Sequence, residues 1–182
     1  IEQCLNEYGD DSCTLSLYAR CLELSNNNQK AFHYYQKAYE KIKKVIEPDC
    51  DCAYGYYAYA KISGIGTDVE IDEAKNIILS VINKSGKYTC SHIVYFYAYF
   101  YLLNDERFSG EFAKEMLEKN YPLYRYEISR IVLLSQVINK LKIKSNKLDE
   151  LLLDMDEYDK NEIKYYNENI YQKASLPYWK NI

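Results

Sequence analysis

Three stretches of the chain carry nearly the same sequence at a fixed interval, and they decide the predicted fold. They read KAFHYYQKA at residues 30–38, EAKNIIL at residues 73–79 and FAKEMLEK at residues 112–119. Their shared alanines recur at nearly equal intervals, at Ala31, Ala74 and Ala113. A repeat of about 40 residues is typical of stacked helix pairs, in which no single pair can bury its own apolar face.

The segments that precede these stretches repeat at the same interval, with alanines at Ala19, Ala58 and Ala98. Small side chains at such positions let two helices cross closely. We therefore expect six alanines to be buried at helix crossings. They are Ala31, Ala38, Ala58, Ala74, Ala98 and Ala113.

Helical periodicity runs along most of the chain. Residues 29–46 place their apolar side chains in one stripe at the 3.6-residue period, and Pro48 ends that helix. A second helix, over residues 54–63, stops at Gly64, and Asp72 is predicted to cap a third. Further helices are predicted over 91–103, 111–120 and 123–141, with less regular helical segments after them. No stretch has the alternation of a strand flanked by hairpin turns, so the class is all-α.

The composition excludes several kinds of partner. The chain has 182 residues and a net charge of −4, with 23 basic against 27 acidic residues. Nucleic acids and anionic membranes both favour a basic face, so neither is the expected main partner. The most apolar run, residues 93–103, is too short to cross a bilayer, which takes about 20 residues. We predict no membrane insertion.

One part of the sequence resembles a known family. The run AYGYYAYAKISGIG at residues 53–66, followed by EIDEAK at 70–75, is similar to a Sel-one-like repeat, a short helix pair related to the tetratricopeptide repeat. The resemblance covers roughly residues 10–125, although the first and third copies have asparagine-containing loops where the Gly-x-Gly turn belongs. These loops begin at Asn26 and Asn104. The resemblance implies a scaffold or binding module.

Together these patterns predict a right-handed α/α solenoid of about three Sel-one-like helix pairs with a helical cap at the C-terminus. Residues 1–125 form the predicted repeat stack and residues 126–182 the cap, in one continuous domain. The final segment departs from the repeat pattern, as expected for the polar end of a solenoid.

The six cysteines leave two questions open. Cys4 and Cys13 flank a predicted helix–helix junction, which is similar to the cysteine-rich secreted bacterial branch of the family, where a disulfide ties successive helices. Cys50, Cys52 and Cys90 stand near equivalent helix starts, because Cys50 and Cys90 are separated by the same interval as Ala58 and Ala98. This second set is consistent with one disulfide from Cys90 to Cys50 or Cys52, with free thiols, or with structural zinc that includes His92.

We expect an exported protein, periplasmic or secreted, with at least one disulfide. The reasons are the placement of Cys4 and Cys13 and the first residue, Ile1, in place of methionine.

Tyrosine is the unusual component, with 22 residues beside one Trp and five Phe. Tyrosine-rich faces suit protein interfaces because the ring gives a large contact area at low entropy cost. We predict a non-enzymatic protein–protein interaction module, a secreted or periplasmic scaffold or effector, whose first helices carry the contacts. Seven tyrosines are candidates, and about half of the seven are expected to belong to the core. The candidates are Tyr56, Tyr57, Tyr59, Tyr95, Tyr97, Tyr99 and Tyr101. The oligomeric state is left open.

Two alternative functions remain at this point. The first is an immunity protein that blocks a cognate bacterial toxin, which a small acidic domain suits. The second is a hydrolase of cell-wall or lactam substrates, because some cysteine-rich members of the resembling family are linked to penicillin binding. The nearest match to a Ser-x-x-Lys motif starts at Ser80 and fails at Asn83. We find no catalytic set, no metal site beyond the zinc alternative, and no cofactor motif.

Overall fold

The computed structural model describes residues 10–44, 51–85, 91–119 and 127–153, together with residues 157, 160, 161 and 164. Those ranges contain eight α-helices and no strand, which confirms the all-α class within them. The helices are α1 Ser12–Leu24, α2 Asn28–Ile42, α3 Cys52–Ser63, α4 Ile71–Ser85, α5 Ser91–Leu102, α6 Gly110–Lys119, α7 Glu127–Leu141 and α8 Asn146–Leu153. None of them has the length and hydropathy needed to cross a membrane.

The chain divides into two compact units, residues 1–93 (unit 1) and residues 94–182 (unit 2). The boundary predicted between residues 125 and 126 lies outside the described residues, so it stays a prediction. Most of the less regular helical segments predicted after residue 141 also lie outside the described residues, beyond residue 153.

In unit 1, helix α1 packs against α2 and α3, α2 against α3, and α3 against α4. The core lies between the apolar stripes of these helices, and Leu15, Tyr35 and Ile78 are fully buried in it. Asp11 is the N-cap residue of α1, and its carboxylate accepts the backbone N–H groups of Cys13 and Thr14. α4 begins at Ile71, so Asp72 stands inside its first turn and not at the predicted cap position. There its charge still favours the positive end of the helix dipole.

Unit 2 has a core of aromatic and aliphatic side chains. The Phe108 ring, in the loop before α6, lies 5.3 Å from the Phe100 ring and 4.8 Å from the Tyr97 ring of α5. Helix α6 packs against α7, and α7 against α8. Ile131 and Leu134 of α7 are fully buried.

Four helices end in the same way. Asn26, Gly64, Asn104 and Lys142 all have positive φ, between 57° and 66°, and they follow α1, α3, α5 and α7. In each case the next residue donates its N–H to the carbonyl five positions back, the longer bond of a Schellman motif. The four residues recur at nearly equal intervals along the chain, close to the repeat of the alanines. The asparagine loops therefore reproduce the geometry that Gly64 has.

The alanine prediction is confirmed as far as burial can test it. All six predicted crossing alanines are 0% exposed. Each of these alanines is therefore enclosed by protein on all sides.

Candidate functional site

The main candidate site in unit 1 is a polar cluster, here called the Glu23 network, made by Arg20, Glu23, Tyr35 and Tyr59. The Glu23 Oε1 atom accepts hydrogen bonds from Arg20 Nη1 at 2.5 Å and from the Tyr59 hydroxyl at 2.8 Å. The Oε2 atom accepts the Tyr35 hydroxyl at 2.8 Å. One carboxylate thus joins side chains from α1, α2 and α3.

Local sequence explains half of this arrangement. Arg20 and Glu23 stand three residues apart on α1, a spacing that places two side chains next to each other on a helix. Tyr35 and Tyr59 come from the faces of α2 and α3 that pack on α1, and both are almost entirely buried. The side chains of Arg20 and Glu23 are 21% and 11% exposed, so the ion pair lies where the core meets solvent.

The network fixes the protonation states of its members. Burial raises the pKa of Tyr59 to about 12, and the charge of Glu23 adds to the effect. Burial and then Glu23 also raise the pKa of Tyr35 far above its usual value. Burial alone lowers the pKa of Arg20, but its hydrogen bond and charge pairing with Glu23 outweigh that effect and raise it. Both phenols therefore remain donors and Arg20 remains a cation at physiological pH.

These contacts determine what the cluster can do. The Glu23 carboxylate accepts three hydrogen bonds, and its charge is balanced by Arg20, so it is poorly placed to act as a general base. The Nε and Nη2 atoms of Arg20 make no hydrogen bond to any described residue. The guanidinium is also 5.8 Å from the Tyr59 ring. The result is a cation held in place at the surface with donors to spare, an arrangement suited to recognition.

A second polar cluster surrounds Lys61 at the end of α3. Its ammonium lies 2.6 Å from Glu70 and 3.0 Å from Glu73, and the Phe32 ring is 5.3 Å away. Burial lowers the pKa of Lys61, but the hydrogen bonds to Glu70 and Glu73 outweigh burial and raise it. The Lys61 side chain is 8% exposed, so this cluster holds α3 to the start of α4 and offers little to a ligand.

The seven candidate tyrosines fall into two groups. Four are between 4% and 6% exposed: Tyr57, Tyr59, Tyr95 and Tyr97. The other three are half-buried: Tyr56, Tyr99 and Tyr101. Partner binding stays a prediction for all seven, and the half-buried three are the ones with ring surface open to solvent.

The half-buried tyrosines also have partners inside the fold. The Tyr56 ring stacks on the Tyr35 ring at 5.7 Å, next to the Glu23 network. The Tyr101 ring lies 4.1 Å from the Lys140 ammonium, which donates to the backbone carbonyls of Tyr101 and Leu102. A contact with another protein would therefore use rings whose positions are already fixed.

The cysteine predictions remain predictions. Cys4, Cys50 and Cys90 lie outside the described residues, so the disulfides proposed for them are not seen. No disulfide joins any two of the described cysteines, which are Cys13, Cys21 and Cys52, and the exposed Cys21 is a free thiol. Within the described ranges, no group of three or more His, Cys, Asp or Glu side chains has a geometry that could hold a metal ion.

Ser80, the serine of the hydrolase alternative, makes a hydrogen bond within its own helix. The Ser80 hydroxyl donates to the carbonyl of Ile77 at 2.7 Å, inside α4. A nucleophilic serine needs a base to accept its proton, and the described residues place none at Ser80.

Sequence reasoning missed Arg20 and Glu23. Their signal was present, because they are the only charged residues in the thirteen-residue helix α1 and they stand at a pairing distance. The contribution of Tyr35 and Tyr59 had no local signal, since they are 12 and 36 residues away from Glu23.

Comparison with protein families, with curated proteins and with solved structures finds no match to this chain.

Proposed function

We propose that this protein is a non-enzymatic protein-binding module of the Sel-one-like type. One observation carries the proposal: the partly buried Glu23 carboxylate accepts three hydrogen bonds and holds Arg20 where the core meets solvent, with two of its nitrogen atoms donating to no described residue. Such an arrangement supports a role in recognising another molecule. The Tyr56 ring, stacked beside it, supplies apolar contact area of the kind that interfaces use.

The recurring helix ends support the repeat architecture within this proposal. We infer that the helices stack as pairs in one right-handed α/α solenoid, with α1–α2, α3–α4 and α5–α6 as the three predicted pairs. Lys142, the fourth residue with a left-handed backbone conformation, follows α7 and continues the same spacing along the chain. On this inference α7–α8 is a fourth pair, and the predicted cap is confined to the residues after it.

We further propose that the protein is exported, to the periplasm or outside the cell, and contains at least one disulfide. The test is a count of reactive thiols in denaturant without reductant. With one disulfide, four of the six cysteines react, and with two disulfides only two react. Six reactive thiols would contradict the proposal and indicate a reducing compartment.

The binding function is tested by site-specific photo-crosslinking. A benzophenone amino acid replaces Tyr56 or Tyr99, on first helices of the proposed pairs, and in a control chain it replaces Gln36, exposed on α2. Each chain is irradiated in an extract of the source cell. We expect one discrete protein adduct at position 56 or 99, competed by excess unlabelled wild type.

Two results would count against the binding proposal. Adducts of equal yield at position 36, or no competition by the wild type, would indicate non-specific contact. Hydrolysis of a chromogenic lactam or of peptidoglycan by the pure chain, abolished by one substitution, would favour the enzyme alternative.

A further inference from the structure

The solvent-facing side of α1 is unusually apolar. Leu17 and Leu24 are 59% and 64% exposed, and Cys21 between them is also exposed. The exposed side of α2 is the ordinary case for a surface helix, with Gln29, Lys37 and other polar or charged residues. Large exposed apolar side chains grouped on one face are characteristic of interaction sites.

The exposed residues of α1 form one continuous row, here called the α1 face. Leu17, Cys21 and Leu24 follow at i, i+4 and i+7, so they share one side of the helix. At a rise of 1.5 Å per residue, the two leucines are about 10.5 Å apart along the axis. Arg20 lies at the border of this row, between the leucines, and is the one cation of α1.

Arg20 adds a directional group to this apolar row. Its Nη1 atom donates to the partly buried Glu23 carboxylate and lies 3.4 Å from the Tyr59 hydroxyl, while Nε and Nη2 have no hydrogen-bond partner among the described residues. The planar guanidinium is matched geometrically by a carboxylate, which can accept two parallel N–H bonds. Because Glu23 already restricts the side chain, little rotamer entropy is lost when such a group binds.

We propose that the α1 face, formed by Leu17, Arg20, Cys21 and Leu24, docks an amphipathic helix of a different protein. That helix carries two large apolar residues seven positions apart and an Asp or Glu between them, which pairs with Arg20. The inference rests on the proposed function and names its partner class. A helix fits because its own i, i+7 spacing matches the spacing of the two leucines.

A second copy of this chain is a poor occupant of the α1 face. An antiparallel two-fold pairing of α1 with itself, with Leu17 opposite Leu24, brings the two Arg20 side chains together. Neither guanidinium can accept a hydrogen bond, so this pairing gives the Nε and Nη2 donors of Arg20 no acceptor. A single helix face is also small, at the low end of specific interfaces, so we expect reversible binding with Kd in the micromolar range.

The probe is a phage-displayed library of 18-residue helix-forming peptides, selected on the full chain. We expect enriched peptides to carry two large apolar residues seven positions apart with an acidic residue between them. Their affinity, measured by fluorescence anisotropy on synthetic copies, should fall at least tenfold against the double variant L17D/L24D. The matched control is Q29D/Q36D, which places the same charges seven residues apart on the exposed side of α2 and should leave affinity unchanged.

The contact with Arg20 is tested by changing the acidic residue of the peptide and Arg20 of the protein. Replacing the acidic residue of the peptide by its amide should weaken binding about tenfold to the wild-type chain and have no effect on binding to R20Q. The change in the peptide leaves the fold of the protein untouched, so it reports on the contact even if R20Q is less stable. Such a double-mutant cycle isolates the pair.

Three outcomes would overturn the inference. Enriched peptides could bind L17D/L24D as tightly as the wild type, or they could show no preference for an acidic residue. Sedimentation could show a wild-type dimer that L17D/L24D converts to a monomer, which would assign the α1 face to a second copy. If these outcomes occur while photo-crosslinking at Tyr56 or Tyr99 succeeds, the binding function stands and only its assignment to α1 fails.

Discussion

Glu23 in unit 1 is a partly buried carboxylate that accepts three hydrogen bonds, whereas the buried amide nitrogen of Gln136 in unit 2 has no hydrogen-bond partner among the described residues. The cost of a buried polar group depends on whether its partners are present. In unit 1 the Glu23 network joins three helices. In unit 2 most of the core is apolar, and Lys140 reaches its acceptors at the last carbonyls of α5.

This difference suggests different roles for the two polar groups. The Glu23 network favours one arrangement of its three helices, because moving any of them removes a hydrogen bond to the Glu23 carboxylate. Gln136 gives its unit no such restriction and is expected to lower its stability. The same change of polar to apolar should therefore have opposite effects in the two units.

The largest expected effect is that of Glu23→Ala. It removes the shared acceptor of Arg20, Tyr35 and Tyr59 and leaves the buried Tyr35 hydroxyl without an acceptor among the described residues. We expect a loss of about 2–4 kcal/mol in the free energy of unfolding, because hydrogen bonds to a charged group are strong and partial exposure of the ion pair reduces their effect. Hydrogen exchange followed by mass spectrometry should localise the loss to peptides from α1, α2 and α3.

The control for Glu23→Ala is Glu40→Ala, which removes an exposed partner of Lys43 on α2. Exposed ion pairs contribute little to stability, so we expect the free energy of unfolding to change by less than about 1 kcal/mol. A similar loss in both variants would mean that the Glu23 network has no special importance for unit 1.

Most of the helices were predictable from the sequence, and the reason is local. The apolar stripe of α2 and the stop at Gly64 are encoded in consecutive residues, and the predicted second helix ends where α3 ends. The ends at Asn26 and Asn104 were uncertain because asparagine adopts the left-handed conformation less readily than glycine. The end at Lys142 carried no such signal, since lysine seldom takes positive φ.

The candidate site was less predictable because it depends on contacts between helices. The tyrosines of α3 and α5 were recognisable as a set, but their burial depends on which neighbours cover them. Tyr57 of α3 stacks on the Tyr39 ring of α2 at 4.3 Å, a contact that forms only when the two helices pack. Tyr97 accepts the backbone N–H of Ser109, a contact that requires the loop before α6 to be in place.

The second prediction concerns alkaline pH. Because Tyr59 has a folded-state pKa of about 12 and an ordinary unfolded value near 10, the unfolded chain loses this proton first. The stability that depends on the neutral phenol is therefore complete below pH 10 and is lost as the pH rises toward 12. Allowing for solvent screening, we expect Tyr59 to account for about 1–2 kcal/mol of this loss.

The measurement is urea unfolding at pH 8, pH 10 and pH 11.5 for the wild type and Tyr59→Phe. The variant cannot ionise at position 59, so the wild type should lose more stability than the variant over this range. If the difference in free energy of unfolding between the wild type and Tyr59→Phe stays constant with pH, the pKa of Tyr59 is not raised in the folded state.

The third prediction is a gain in the free energy of unfolding, whereas the first is a loss. Gln136→Met replaces a buried amide by an apolar side chain of similar length in α7, and its nitrogen had no described hydrogen-bond partner to lose. We expect a gain of about 1 kcal/mol in the free energy of unfolding, measured by urea titration. Gln36→Met on the exposed side of α2 is the control and should be neutral. Loss of stability in Gln136→Met would mean that the amide makes a contact essential to unit 2.

The smallest effect is expected at the end of α7, where Lys142 has φ of 57°. A left-handed conformation is unfavourable for residues with a Cβ, and asparagine tolerates it better than lysine because its short side chain can hydrogen-bond locally. Asn26 and Asn104 already occupy this position after α1 and α5. We therefore expect Lys142→Asn to stabilise the chain by about 0.5 kcal/mol, the upper range for an ordinary surface substitution, measured by urea unfolding. The reverse change, Asn104→Lys, should cost a similar amount, and equal stabilities of all three chains would show that asparagine has no advantage over lysine at these left-handed positions.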